Sequence, residues 1–271
     1  MIPQPPAIAL SIAGSDPSGG AGLQADLKSF HTHRVFGMGV VSLLTVQNTL
    51  GVRRVERMPP DLISEQIAAV FEDAPPQAIK TGALGGVEQV EAVAAALSRG
   101  PAELALPVVV DPVCLSKTRA ELLDAAGRAA LMRLLLPRAT LLTPNLDEAR
   151  LLLDRALEKP RDIADAARAF IDLGARAVLI KGGHREGEPI DVLCTRDGLL
   201  ELHGERVATQ HTHGVGCSLS AAIAARLALG HALEDACALA KAWVTSGLIS
   251  APGIGRGQGA MNHWATLPDG A

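Results

Sequence analysis

Six short runs rich in Val, Ile, Leu and Ala punctuate the first two-thirds of the chain: AIALSIAG (7–14), MGVVSLLTV (38–46), AIKTG (78–82), PVVVDP (107–112), TLLTPN (140–145) and AVLIKGG (177–183). Several are nearly continuous in apolar residues. That is the pattern of parallel strands buried on both faces, whereas half-exposed antiparallel strands alternate. Helical periodicity fills the gaps between them. Leu23, Leu27 and Phe30 stand at i, i+4 and i+7, and Leu62, Ile63, Ile67 and Val70 behave similarly after the breaker pair Pro59-Pro60. The connections are therefore crossovers, and the expected fold is α/β, a mostly parallel sheet covered by helices on both faces. After residue 183, IDVLCT and LLELHGERV flank Asp197-Gly198 as a hairpin, and two helices at roughly 216–230 and 233–250 complete the pattern. The tail GIGRGQGAMNHWATLPDGA reads as irregular, with residues 1–6 and about 265–271 frayed. With no repeat and no linker rich in Pro, Gly and Ser, residues 1–271 read as one domain.

Composition narrows the partners. A formal charge of −4 with 20% charged residues gives no electrostatic case for a nucleic acid or a membrane surface. The four cysteines, Cys114, Cys194, Cys217 and Cys237, are scattered and form no CxxC pair, so neither a disulfide framework nor a zinc knuckle is suggested and a reducing compartment fits best. MIPQPPAIALSIAG lacks a basic n-region, and its apolar run is too short to span a bilayer, so a cytoplasmic location is expected.

In a doubly wound sheet, ligands bind beyond the carboxyl ends of the strands, so the residues just after each run carry the information. GSDPSGGAG (14–22) is neither a Walker A loop nor a Rossmann fingerprint, since Gly20 and Ala21 follow Gly19. It is either a permissive turn or a loop that offers the Asp16 carboxylate to a polar ligand. Asn145 with Glu148 in NLDE is a capping box, and Glu148 is also placed to hold a hydrated Mg²⁺; both readings can hold together. Lys181, after AVLI, either snorkels to solvent or meets a phosphate. The pairs His31/His33 and His211/His213 lack further ligands nearby and read as non-metal. In HGVGCSLSAA, Gly214 and Gly216 let backbone N–H groups converge at a helix N-terminus, an anion hole for a phosphoryl group. Cys217 beside it is either a base or nucleophile whose thiolate the helix favours, or a buried structural cysteine. A Cys217–His213 hydrolase is the weaker reading, because no third group is evident to orient the histidine.

Taken together, IAGSDPSGGAGLQADLKSF, VQNTLGV, VVVDPV, LLTPNLDEA, LIKGGH and THGVGCSLSAAIAA resemble the hydroxymethylpyrimidine/phosphomethylpyrimidine kinases of thiamine biosynthesis, within the ribokinase-like superfamily. The resemblance runs from about residue 8 to 264. It implies a three-layer αβα sandwich and transfer of the ATP γ-phosphate to 4-amino-5-hydroxymethyl-2-methylpyrimidine and then to its monophosphate, with Mg²⁺ and as a homodimer. It further implies that Cys217, Gly214 and Gly216 are catalytic and that Gly14, Asp16, Gln47, Ala83 and Val113 contact the pyrimidine. Lys181, Asn145 and Val215 would serve the nucleotide, and Glu148 and Asp111 the metal. The Gln47 amide can donate and accept together, as an aminopyrimidine edge requires. Three positions depart from the family. Val215 replaces threonine, Ala83 replaces methionine and leaves a roomier floor, and Thr118-Arg119-Ala120 replaces Ser-Gly-Asp. The wider pocket and added cation lead to the expectation that the phosphorylated substrate is favoured. Two alternatives stand beside this one, a pyridoxal or pyridoxine kinase of the same fold and a non-catalytic pyrimidine-binding regulatory protein.

Overall fold

The computed structural model describes residues 5–99, 106–157, 160–183 and 187–268. The terminal residues 1–4 and 269–271, expected to fray, and His184 of the KGGH segment lie outside that set. β1 (Ile8–Ser15), β2 (Phe36–Asn48), β3 (Gly51–Arg57), β4 (Ala78–Thr81), β5 (Val108–Val110), β6 (Leu141–Leu142), β7 (Val178–Ile180), β8 (Asp191–Cys194) and β9 (Leu199–Leu202) form a single sheet in the order β3-β2-β1-β4-β5-β6-β7-β8-β9. The six strands from β2 to β7 in that order run parallel; β3, β8 and β9 pair antiparallel at the two edges.

Each parallel strand feeds two separate cores, because successive side chains point to opposite faces. Leu10, Ile12, Val108, Val110, Leu142, Val178 and Ile180 pack on one side, under α2 (Pro60–Asp73), α3 (Val87–Arg99), α4 (Ala125–Leu134), α5 (Leu146–Leu153) and α6 (Pro160–Asp172). Ala9, Val109, Leu141 and Leu179 pack on the other, under α1 (Gly22–Thr32), α7 (Val215–Ala228) and α8 (Leu233–Ile249). This is the three-layer αβα sandwich, and it explains why the strands read as unbroken apolar runs. Among the described residues, no helix is long and apolar enough to cross a membrane.

Several expectations change in the structure. The segment 140–145 yields only a two-residue strand, because Pro144 interrupts it and Asn145 already caps α5. Gln47 and Asn48 are not in a loop after the strand; they end β2, which turns at Thr49-Leu50 into β3. GVRRVER hid that strand: Val52 and Val55 are three apart, and the exposed edge carries charge instead of alternation. The chain end up to residue 267 is irregular but not frayed. Met261, His263, Ala265 and Leu267 are buried, and the Trp243 indole donates to the Ala265 carbonyl at 3.1 Å.

Candidate active site

The sheet order reverses direction around β1: α1 leads to β2 on one side, and the chain returns to β4 on the other. A crevice opens beyond the carboxyl ends of the strands at such a point. A cavity of about 590 Å³ lies there, a size suited to a small substrate with its cofactor. Every residue expected to serve catalysis, the pyrimidine, the nucleotide or the metal lines it: Gly14, Asp16, Gln47, Ala83, Asp111, Val113, Asn145, Glu148, Lys181 and the Gly214–Cys217 turn.

The turn before α7 is built by interlocked backbones. Gly214 adopts φ 72°, and a Cβ there would stand 1.9 Å from the Gly20 carbonyl oxygen, so only glycine fits. Gly214 accepts the first helical bond from Ser218 N–H at 2.8 Å, leaving the earlier N–H groups of the first turn without helical acceptors. Lys181 Nζ lies 3.2 Å from where a Cβ on Gly216 would be. An ammonium and a helix N-terminus thus converge on one spot, the requirement for binding a phosphoryl group.

Lys181 follows β7, an interior strand flanked by β6 and β8. It does not reach for solvent: its ammonium donates to Asp111 Oδ1 at 2.9 Å and lies 3.8 Å from Glu148 Oε2. Burial works against that ammonium, but Asp111 and then Glu148 outweigh it and hold its pKa well above the ordinary value. Asp111 also accepts from Thr143 Oγ1 at 3.3 Å and Ser220 Oγ at 3.1 Å. Burial opposes the charge on Asp111 too, yet Lys181 and Lys80 keep its pKa below the usual range. The capping box is present: Asn145 N–H donates to Glu148 Oε2 at 2.7 Å, and Glu148 N–H donates to Asn145 Oδ1 at 2.8 Å. Burial pushes Glu148 up to about 7, more than Lys181 can offset.

Mg²⁺ fits this donor set in one manner. Among the described residues, no group of three or more His, Cys, Asp or Glu is arranged to hold a metal ion. Two hard carboxylates remain, Asp111 largely committed to protein donors and Glu148 short of cationic compensation. They suit a cation that keeps its waters and takes substrate phosphates as ligands.

Cys217 departs from the expectation that the helix end favours its thiolate. Burial dominates and lifts its pKa to about 11, although the Lys80 charge and a hydrogen bond from Gly22 N–H pull the other way. Gly22 begins α1, so the thiol sits where the N-termini of α1 and α7 meet.

Asp16 is buried and already satisfied. Ser18 N–H and Oγ, each at 2.8 Å, Ala21 N–H at 2.9 Å and His213 Nε2 at 2.8 Å all reach its carboxylate. Those bonds, with His213 first among the favourable ones, outweigh burial and keep its pKa low. Its observed task is to shape the Gly14–Gly22 loop rather than to present a free acceptor. The expectation that His213 lacks an orienting group is also corrected, since Asp16 orients it. The contact identified for the Cys217 thiol, however, is Gly22 N–H. Gln47 differs from Asp16: its amide makes no hydrogen bond to any described side chain or backbone group and is available at the cavity wall. The Ala83 carbonyl is held by Ser42 Oγ at 2.6 Å, with only a methyl facing the cavity.

One unit was not foreseen. Lys80 and Asp26, both fully buried, pair at 2.7 Å, and Ser11 Oγ donates to the same Asp26 oxygen at 2.6 Å. The signal was present: Asp26 falls on the apolar face of α1 with Leu23 and Phe30, and Lys80 interrupts a strand buried on both faces.

The chain matches the family described as phosphomethylpyrimidine kinase over residues 16–262. It is 47% identical over 262 residues to a hydroxymethylpyrimidine/phosphomethylpyrimidine kinase of Synechococcus elongatus, covering 96% of this chain and 98% of the relative. It is 40% identical over 268 residues, 98% of its length, to 54% of the thiamine biosynthesis bifunctional protein ThiED of Geobacter sulfurreducens. Among solved structures, the ADP complex of Bacillus subtilis pyridoxal kinase superposes with a TM-score of 0.87 at 34% identity, covering 96% of this chain and 98% of that one.

Proposed function

The chain belongs to the phosphomethylpyrimidine kinase family, and from that premise we propose that it phosphorylates 4-amino-5-hydroxymethyl-2-methylpyrimidine and its monophosphate at the expense of ATP, yielding the pyrophosphate used in thiamine biosynthesis. One observation supports this reading above the others: Cys217, the Gly214–Gly216 N–H groups and the Lys181 ammonium share one cavity with the unengaged Gln47 amide.

Phosphoryl transfer needs positioning and charge stabilisation more than covalent chemistry. Gln47 holds the aminopyrimidine edge, with Gly14, Ala83 and Val113 forming the apolar wall and Asp16 setting the loop above it. The first-turn N–H groups of α7 and Lys181 receive the equatorial oxygens of the transferred group, and Val215 contributes only its backbone. Cys217 takes the proton of the attacking hydroxyl. Its raised pKa leaves little thiolate at neutral pH, and the thiolate that does form is a correspondingly stronger base toward that proton. Asn145 orients Glu148, which with Asp111 would hold Mg²⁺ through its waters; when bound, the ion neutralises charge on the phosphate oxygens.

We further infer that the chain works as a single domain, in the cytoplasm and as a homodimer. One sheet serves the whole site, the four cysteines are free, and Leu44, Val46 and Leu50 lie exposed on the β2–β3 hairpin, where a second copy would cover them. The test of function is a transfer assay with Mg·ATP that offers the alcohol, the monophosphate and pyridoxal separately and identifies products by mass. Phosphorylation of the two pyrimidines supports the reading. Reaction with pyridoxal alone would move the chain to the activity named for its structural neighbour, and reaction with none would leave a binding protein.

A further inference from the structure

The loop Pro112–Leu122 carries two cations that the kinase scheme above leaves without a task. Asp16, Asp111 and Asp191 on the cavity wall are matched within the protein, by His213, Lys181 and Lys241 at 2.8, 2.9 and 2.9 Å. Lys117 and Arg119 line the same cavity, and neither side chain pairs with any described carboxylate or carbonyl. Partial desolvation holds Lys117 below the ordinary lysine value, with no carboxylate to offset it. Both side chains are exposed at the mouth of the cavity, where solvated cations with no protein partner are free to attract an anionic ligand.

The backbone adds an independent observation. Three non-glycine residues among those described have positive φ: Arg34, Arg119 and Asp154. Arg34 follows the end of α1 and Asp154 caps α5, where such a conformation closes a helix. Arg119 closes a hairpin instead: at φ 63° it is the left-handed last residue of the three-residue turn 117–119 between the bridged Leu115 and Glu121, a place that favours glycine but here holds a long cation. The loop is firmly braced around it: Arg119 N–H donates to the Ser116 carbonyl at 2.9 Å, and Ala120 N–H to Ser116 Oγ at 2.9 Å. The turn thereby holds the backbone of Lys117 and Arg119 in one geometry at the cavity.

Phosphate in this cavity can belong to the nucleotide or to the substrate, and the loop's docking favours the substrate. Thr118 Oγ1 accepts from Val52 N–H at 3.4 Å, on the β2–β3 hairpin that carries Gln47, and Lys117, Thr118 and Gln47 line a common cleft. The nucleotide residues Lys181 and Asn145 belong instead to the β6–β7 side. We propose that Lys117 and Arg119 are specificity-determining residues, a two-cation arm that grips the phosphate of the monophosphate substrate and favours the second phosphorylation over the first. The inference rests on the pyrimidine-kinase reading and deepens it.

The experiment measures kcat/KM for the alcohol and for the monophosphate, and KM for ATP, in the wild type, Arg119→Gly, Arg119→Lys and Lys117→Met. Arg119→Gly suits the positive φ, which removes misfolding as an explanation. The expected result is a loss at least tenfold greater on the monophosphate than on the alcohol, through KM, for Arg119→Gly and Lys117→Met, with partial restoration in Arg119→Lys. Equal losses on both substrates, or an unchanged ratio, would overturn the arm while leaving the kinase reading intact. A rise confined to the KM for ATP would overturn it in favour of the nucleotide. A wild type inert toward both pyrimidines would instead overturn the kinase reading, and the arm with it.

Discussion

Replacing Lys80 by methionine removes one charge from a pair with no solvent access on either side. Asp26 would then keep Ser11 Oγ as its only hydrogen-bond partner from another side chain, since its Oδ1 has none among the described residues. The two ends of the pair respond differently. Burial pushes Asp26 up despite Lys80, whereas Asp26 overcomes burial to hold Lys80 up. The intact pair therefore adds little net stability, but breaking it strands a buried charge, which costs about 3–5 kcal/mol. At roughly 2–4 °C per kcal/mol for a chain of this size, the melting temperature falls by about 10 °C. Asp26→Asn keeps an acceptor for Ser11 and strands Lys80 instead, with a loss of similar size, because either stranded group can be neutralised and each lies roughly three pH units from neutrality in its ordinary pKa. In the double variant no charge is left buried there, and stability returns to within about 2 kcal/mol of the wild type. The sign with pH follows from the stranded carboxyl. Its folded pKa lies above its unfolded one, so the methionine variant recovers stability as pH falls through that folded value and loses it as pH rises. Urea unfolding of the four proteins at pH 5 and pH 7 measures both effects. A double variant as unstable as the sum of the singles, or a deficit that deepens at pH 5, would refute the reasoning.

Cys217→Ala should leave folding and ATP binding intact and lower kcat severely; in the wild type, alkylation of this thiol should keep accelerating toward pH 11 instead of levelling near the ordinary cysteine value, and a plateau below pH 9 would contradict the dominance of burial. Gln47→Ala should raise the KM for the pyrimidine more than that for ATP, and equal increases would remove it from the pyrimidine edge. Gly214→Ala places a Cβ 1.9 Å from the Gly20 carbonyl oxygen at a φ of 72°, so both stability and turnover should fall, the first by about 2 kcal/mol or more in denaturant titration.

The three layers were legible because a parallel strand buried on two faces must be apolar throughout, and a crossover helix must show its period. The site was legible for a related reason. Residues such as Asn145, Lys181 and Cys217 stand directly after a strand or at a helix start, and in this architecture those ends face one crevice. The edge strand β3 was not legible, since Arg53, Arg54 and Glu56 on an exposed edge give no alternation to read.

By itself the amino-acid order determined the buried parallel strands and the helical period between them, that the sheet is covered on both faces, and which loops gather at its carboxyl end. Those properties depend on local periodicity and backbone preference, which act over a few residues. Only the tertiary structure decided what each polar group does once gathered. Asp16 spends its carboxylate on Ser18, Ala21 and His213, and Lys181 leans on Asp111, 70 positions away. Lys80 finds Asp26 across 54 positions, and burial raises the Cys217 thiol against the pull of two helix ends. Partner choice and desolvation are set by distance and burial in three dimensions, and neither is written in the spacing of residues along the chain.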